Sequence, residues 1–206
     1  MYIGRFVVLG RTNEGALYLG YRVSSRSFPN RVIRTTDDRA MVVPTADAPP
    51  SDNPYISYNC LRTFTAPQGG QVTVVANGSH VDPIIDKITL GYPLRDAMAL
   101  SLLAMDYEHD DYNTPRIAAG VDAGGAGLLS LVGANKLLVQ QLEVAAGEAY
   151  LIATYERTDP TPIALAGGTP EALCDALFTC EYEHPVAALI AMPSDDALRM
   201  AVRSAR

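Results

Sequence analysis

Residues 71–90 read QVTVVANGSHVDPIIDKITL, and this stretch changes period halfway. Gln71 to Ala76 alternates as a strand with one face buried does. From Val81 the pattern becomes helical. Ser79 is expected to cap the helix, Pro83 is tolerated in its first turns, and Gly91 ends it. A second helix is expected from about Pro93 to Tyr107. Leu94, Met98, Leu100, Leu102, Leu103 and Met105 make it apolar nearly all round, which predicts a helix sandwiched between other layers.

Working outward, the segments before this switch read as strands. IGRFVVLG and ALYLGYRV flank the turn RTNEG, MVVP is a further strand, and YISYNCLRTF alternates. TADAPPSDNP is a proline-rich loop. After the helices, strands return at PRIAAGV, GLLSLV, KLLVQQLEV and AYLIATYE. From TPEALCDALF to the C-terminus the expectation is two helices around the short apolar segment HPVAALIAM. Strands, two helices, strands, two helices is not the alternation of a doubly wound fold. It predicts an α+β fold, a four-layer α-β-β-α sandwich of two antiparallel sheets, each covered by a helical pair. Residues 1–206 are read as a single domain.

The bulk numbers narrow the function. A net charge of -7 argues against a general affinity for nucleic-acid backbones. No run approaches the ~18 apolar residues of a membrane span. The N-terminal run lacks a signal peptide's longer apolar region and cleavage site. Cys60, Cys174 and Cys180 fit no metal spacing and leave one thiol over, which suits a reduced, cytoplasmic protein. With three histidines, a multi-histidine metal centre is not expected.

Several polar clusters carry possible chemistry. In SSRSFPNR, local composition supports a solvated loop and an anion pocket alike. Arg22 and Arg26 offer bidentate charge-assisted bonds, with serine hydroxyls beside them. NGSH, residues 77–80, is a strand-to-helix turn that would also suit an anion or a carbonyl. DNPYISYNC puts Tyr58 and Cys60 on one face and Asn59 on the other; a lone strand cysteine is more often a small core residue. Arg95, Asp96 and Asp106 fall in the second helix, where buried charges need partners. YEHDDYNTPR reads as a solvated loop rather than a metal site, and DAGGAGLLSLVGANK lacks the ending of a phosphate loop.

Taken together, MYIGRFVVLGR, YRVSSRSFPNR, DNPYISYNC, NGSHVDP, GYPLRDAMALSLLAMDYE and YNTPRIA resemble the archaeal-type inosine monophosphate (IMP) cyclohydrolase family. The match is dense over the first 120 residues or so and looser beyond. The resemblance implies the sandwich fold of the N-terminal-nucleophile hydrolases, a homotetramer, and a nucleotide substrate. It also implies the last step of purine synthesis: closure of 5-formamidoimidazole-4-carboxamide ribonucleotide to inosine monophosphate with loss of water. The sequence departs from the fold's namesake chemistry, because residues 1 and 2 are Met and Tyr rather than Ser, Thr or Cys.

The reaction joins two groups on one ring, so holding the reactive rotamer supplies much of the effect. A proton must leave the amide nitrogen, and the formyl oxygen must be stabilised and protonated. None of this needs a metal, a redox cofactor or a covalent intermediate. Under the resemblance, Ser25, Arg26 and Ser27 are expected to grip the phosphate, with Asn30 nearby. Arg22 is a candidate for the phosphate or the oxyanion, Asn59 for orienting the carboxamide, and Tyr58 for proton transfer. Cys60, among the catalytic candidates, is expected to line the pocket, with covalent catalysis as the lesser alternative. Asn77, Gly78 and Ser79 are candidates for the formyl oxygen or ribose, and Asp106 and Arg116 for outer or base-edge contacts. Two rival readings stay open: a self-cleaving amide hydrolase of the same fold, and a non-catalytic nucleotide-binding protein.

Overall fold

The first hairpin sets the architecture. Strand β1 (Phe6–Arg11) pairs antiparallel with β2 (Leu17–Ser24), Val8 lying opposite Gly20. Successive strand residues point to opposite faces. Val7, Leu9, Leu19, Tyr21 and Val23 therefore enter one apolar cluster, while Phe6, Val8 and Tyr18 enter another. The computed structural model describes residues 1–53, 55–65, 70–194 and 198–205.

The remaining elements follow in order: β3 (Arg31–Thr35), β4 (Arg39–Pro44), β5 (Tyr58–Thr65), β6 (Gln71–Ala76), α1 (Val81–Thr89), α2 (Leu94–Met105), β7 (Arg116–Val121), β8 (Gly127–Gly133), β9 (Lys136–Leu142), β10 (Ala149–Ala153), β11 (Thr161–Pro162), α3 (Pro170–Thr179), β12 (Pro185–Pro193) and β13 (Leu198–Ser204). They form two antiparallel sheets. One has the order β11-β10-β1-β2-β12-β13, the other β3-β4-β5-β6-β7-β8-β9. Side chains of both sheets meet in one cluster, among them Leu9 and Leu189 from the first, and Val75, Ile117 and Leu129 from the second. The α1/α2 pair packs Ile84, Ile85 and Met98 against Val74 and Ala118 of the seven-stranded sheet. Helix α3 packs Leu173 and Leu177 against the other face of the six-stranded sheet.

Four expectations need correction. The C-terminal segment is not a second helix: β12 is a central strand, and β13 is its antiparallel edge partner, with Leu189 opposite Val202. Its Ala, Leu, Met and Arg residues favour a helix locally, but the free edge of β12 offers a full ladder of backbone bonds, and tertiary pairing wins. Among the described residues, the six-stranded sheet is thus covered by α3 alone. Helix α2 is not sandwiched either, since Leu100 and Leu103 are 43% and 60% exposed. Arg95 and Asp96 are paired at 2.7 Å, but on the surface. Ser79 does not cap α1: the N-cap is His80, and no side chain makes the capping bond.

Arg22 shows what the period-two rule does to a site residue. It stands on the opposite face from Tyr21 and is fully buried against α3. Its guanidinium donates to the carbonyl oxygens of Leu177, Cys180 and Tyr182, satisfying acceptors around the end of the helix that lack intrahelical partners. Replacing it as Arg22→Met strands these buried acceptors. Urea unfolding should show a loss of about 2–4 kcal/mol; a loss below about 0.5 kcal/mol would mean that Arg22 does not hold the helix end.

Candidate active site

A cleft of about 590 Å³ opens at one end of the sheet pair. This is the size of ordinary small-molecule sites, roughly 300–1,000 Å³. One part of its rim carries Ser24, Ser25, Arg26, Ser27 and Arg31, from the bend after β2 and the start of β3. The Ser24 hydroxyl is buried there with no hydrogen-bond partner among the described residues. Ser25 shapes the bend by accepting from the Phe28 N–H at 2.9 Å. The Arg26 guanidinium lies 4.3 Å from the Tyr2 ring centroid and 3.7 Å from Glu183. Tyr2, Tyr55 and Tyr155 also line the cleft and offer flat apolar surface.

Two further lining residues, Arg5 and Glu108, form a buried ion pair. Arg5 Nη2 lies 2.6 Å from Glu108 Oε2, and Glu108 is 1% exposed. Arg5 Nη1 donates to the Asn77 carbonyl at 2.9 Å. Burial opposes the Arg5 charge, yet Glu108, with smaller contributions from Tyr58 and Tyr21, keeps its pKa well above the usual value. Arg116 Nη1 approaches the other carboxylate oxygen, Oε1, to 3.8 Å, and Arg116 Nε donates to the Asp106 carbonyl at 2.8 Å. Oε1 has no hydrogen-bond partner among the described residues. A carboxylate oxygen without such a partner, its twin held by arginine, keeps its capacity to accept an N–H or O–H.

The residues expected from the sequence divide sharply. Ser25, Arg26 and Ser27 line the cleft. Tyr58 lies beneath it, its hydroxyl 2.7 Å from that of Tyr21. Asn30 is only partly buried, and its backbone carbonyl accepts from the Thr45 N–H. Asn59 points the other way, donating to Asp82 of α1 at 2.8 Å, because it alternates with Tyr58. Cys60 does not line the cleft: it is fully buried in the inter-sheet core, and burial pushes its thiol pKa far up, so the thiolate is disfavoured. Asn77 spends its side chain on the backbone, donating to Pro115 O and accepting from Ile117 N. Gly78 is buried beside Glu108 and Arg116, whereas Ser79 is exposed. Asp106 ends α2 with a φ of 55°, and Arg116 is buried behind Tyr55.

The sequence reading missed Arg5, Arg31, Glu108 and Tyr155. YEHDDYNTPR was expected to be a solvated loop, but it holds the buried Glu108, whose N–H bonds the Thr114 carbonyl at 2.8 Å. His80 is also fully buried. Its Nε2 faces the Ile117 carbonyl at 2.9 Å, and burial, reinforced by Arg116, pushes its pKa down to about 3.

Residues 2–197 match the family described as "IMP cyclohydrolase-like protein". "IMP cyclohydrolase" of Natronomonas pharaonis is 47% identical over 200 residues, covering 97% of each chain. The protein of the same name from Methanocella arvoryzae is 44% identical over 98% of each chain. Among solved structures, an Anbu (Gly-1) mutant from Hyphomicrobium sp. strain MC1 is similar over 98% of this chain and 88% of that one. Its TM-score is 0.49 at 12% identity, too distant to bear on function.

His80 makes stability depend on pH. The folded ring takes a proton near pH 3, the unfolded ring near 6.5, so between these values the unfolded state binds more protons. Stability is therefore lost as pH falls below about 6.5, by about 2 kcal/mol at pH 5 from this residue. Denaturant unfolding of the wild type and of His80→Gln at pH 7 and 5 should show this loss only in the wild type. Equal losses in both proteins would remove His80 as its source.

Proposed function

This chain belongs to the IMP cyclohydrolase-like family, and on that premise we propose that it closes 5-formamidoimidazole-4-carboxamide ribonucleotide to inosine monophosphate, releasing water, in purine biosynthesis. The observation that carries this reading is the buried carboxylate of Glu108, a cleft-lining residue, with Oε2 locked to Arg5 and Oε1 without a hydrogen-bond partner among the described residues.

The carboxamide nitrogen attacks the formyl carbon and forms the new C–N bond. Glu108 takes one proton from that nitrogen as the bond forms. The formyl oxygen gains negative charge and meets the fixed cation of Arg5. Glu108 returns its proton to that oxygen, the former formamide nitrogen supplies the second, and the oxygen leaves as water as the C=N bond of the purine forms. Tyr58 acts from below through Tyr21: both phenols face Arg5, and burial, together with the Tyr58 hydroxyl, holds the Tyr21 pKa well above its usual range. At the rim, Ser25, Arg26 and Ser27 grip the phosphate, aided by Ser24 and Arg31. The tyrosine walls confine the ring in its reactive rotamer.

The fold we propose for this one-domain chain is the four-layer sandwich of the N-terminal-nucleophile hydrolases, supported by three separate apolar clusters between successive layers. We also propose a cytoplasmic location, supported by three free thiols, and a homotetramer, supported by Leu100 and Leu103 on the outer side of α2. A light-scattering mass of one 22.1 kDa chain would refute the tetramer.

Steady-state rates, followed in the ultraviolet for purine formation, test the roles. Glu108→Gln should lower kcat by about 10²–10⁴-fold with little change in KM. Arg26→Ala should raise KM by about 10-fold or more and spare kcat. Wild-type kcat in Glu108→Gln would remove the proposed base.

A further inference from the structure

Two buried acceptors face the same small space behind the cleft floor, and neither has a donor. His80 Nε2 lies 2.9 Å from the Ile117 carbonyl oxygen, which only accepts, so Nε2 carries the ring proton. The ring is neutral, which leaves Nδ1 as a bare lone pair. Glu108 Oε1 is likewise an acceptor. Both atoms are buried and lack a hydrogen-bond partner among the described residues. The third group present is a donor, Arg116 Nη1. Gly78 borders all three: a Cβ placed on it would sit 3.1 Å from Arg116 Nη1 and 3.4 Å from both Glu108 Oε1 and His80 Nδ1. Gly78 does not have a positive φ, so its backbone does not require glycine. What the missing side chain provides is room.

We propose that one ordered water sits beside Gly78, accepting from Arg116 Nη1 and donating to Glu108 Oε1 and His80 Nδ1, and that His80 is thereby a positioning residue for Glu108. A water accepts one such bond and donates two, which matches the three groups in number and sense. It occupies one lone-pair direction of Oε1 and leaves the other for the substrate's amide N–H. The catalytic part of this inference rests on the reading of Glu108 as the proton acceptor. The other groups around Glu108 are Arg5 ahead of β1, with Tyr21 and Tyr58 beyond it, and Arg116 on β7, with Asp106 and Tyr55 around its guanidinium. Each of them is retained in the variants below.

Gly78→Ala fills the space and expels the water. His80→Gln keeps a donor for Ile117 O but removes the Nδ1 acceptor, and His80→Asn places an acceptor near the Nδ1 position. A high-resolution crystal structure should show the water in the wild type and not in Gly78→Ala. In Gly78→Ala and His80→Gln, kcat should fall about 10- to 100-fold with KM nearly unchanged. His80→Asn should recover most of the rate. If the histidine variants do not fold, Gly78→Ala carries the test alone. Absence of the water in the wild type, or a wild-type rate in Gly78→Ala, overturns the proposal. If the wild-type protein does not close the ring at all, the proposed function fails, and the crystal density alone then upholds or overturns the water.

Discussion

The cleft depends on one buried ion pair. Arg5 and Glu108 are 103 residues apart, and their 2.6 Å contact ties the lead-in to β1 in one sheet to the loop before β7 in the other. Burying two charges costs several kcal/mol per ion unless geometry and further hydrogen bonds offset it. Here Arg5 also donates to the Asn77 carbonyl, and the Asn77 amide group in turn bonds Pro115 O and Ile117 N. One short network thus fixes the β6–α1 turn, the start of β7 and the carboxylate. The pair leaves Glu108 Oε1 buried and without a hydrogen-bond partner among the described residues.

The fold was legible wherever burial follows a local period. The switch between Gln71–Ala76 and the helix from Val81 stands in the structure within a residue or two of its expected place. The alternation of Tyr21 with Arg22 and of Tyr58 with Asn59 also holds, and it explains two misread roles. Arg22 and Asn59 occupy the outward faces of their strands, where α3 and Asp82 of α1 meet them. Alternation separates faces, but it does not reveal which face meets the cleft. The edge strand β13 was illegible because its residues are half-exposed helix formers whose structure comes from pairing with β12. Strand β3 was missed although Val32, Ile33 and Thr35 are β-branched, because it is only five residues long, includes two arginines and follows the polar run before it.

The candidate site was legible only at its rim. Composition reads Ser25 to Ser27 as a solvated loop and an anion pocket alike, the family resemblance favours the pocket, and the three residues line the cleft. Its floor has no such signature. Glu108 lies among Tyr107, His109, Asp110 and Asp111, where solvation is the ordinary expectation, and Arg5 follows a glycine at the edge of a strand. Only long-range packing brings the two together, and single-sequence spacing cannot express a pairing across so much chain. Cys60 illustrates the opposite error: a chemically capable residue lies on the inward face of a central strand, where burial suppresses its reactivity.

The proposed site thus has two ends, a cationic and hydroxylated rim for phosphate and a buried carboxylate for the amide. A crystal structure of this protein with inosine monophosphate bound tests that polarity directly. It should place the phosphate against Ser25, Arg26 and Ser27, and the pyrimidine edge of the base within hydrogen-bond reach of Glu108 Oε1. A phosphate seated on Arg5, with the base directed away from Glu108, would contradict it.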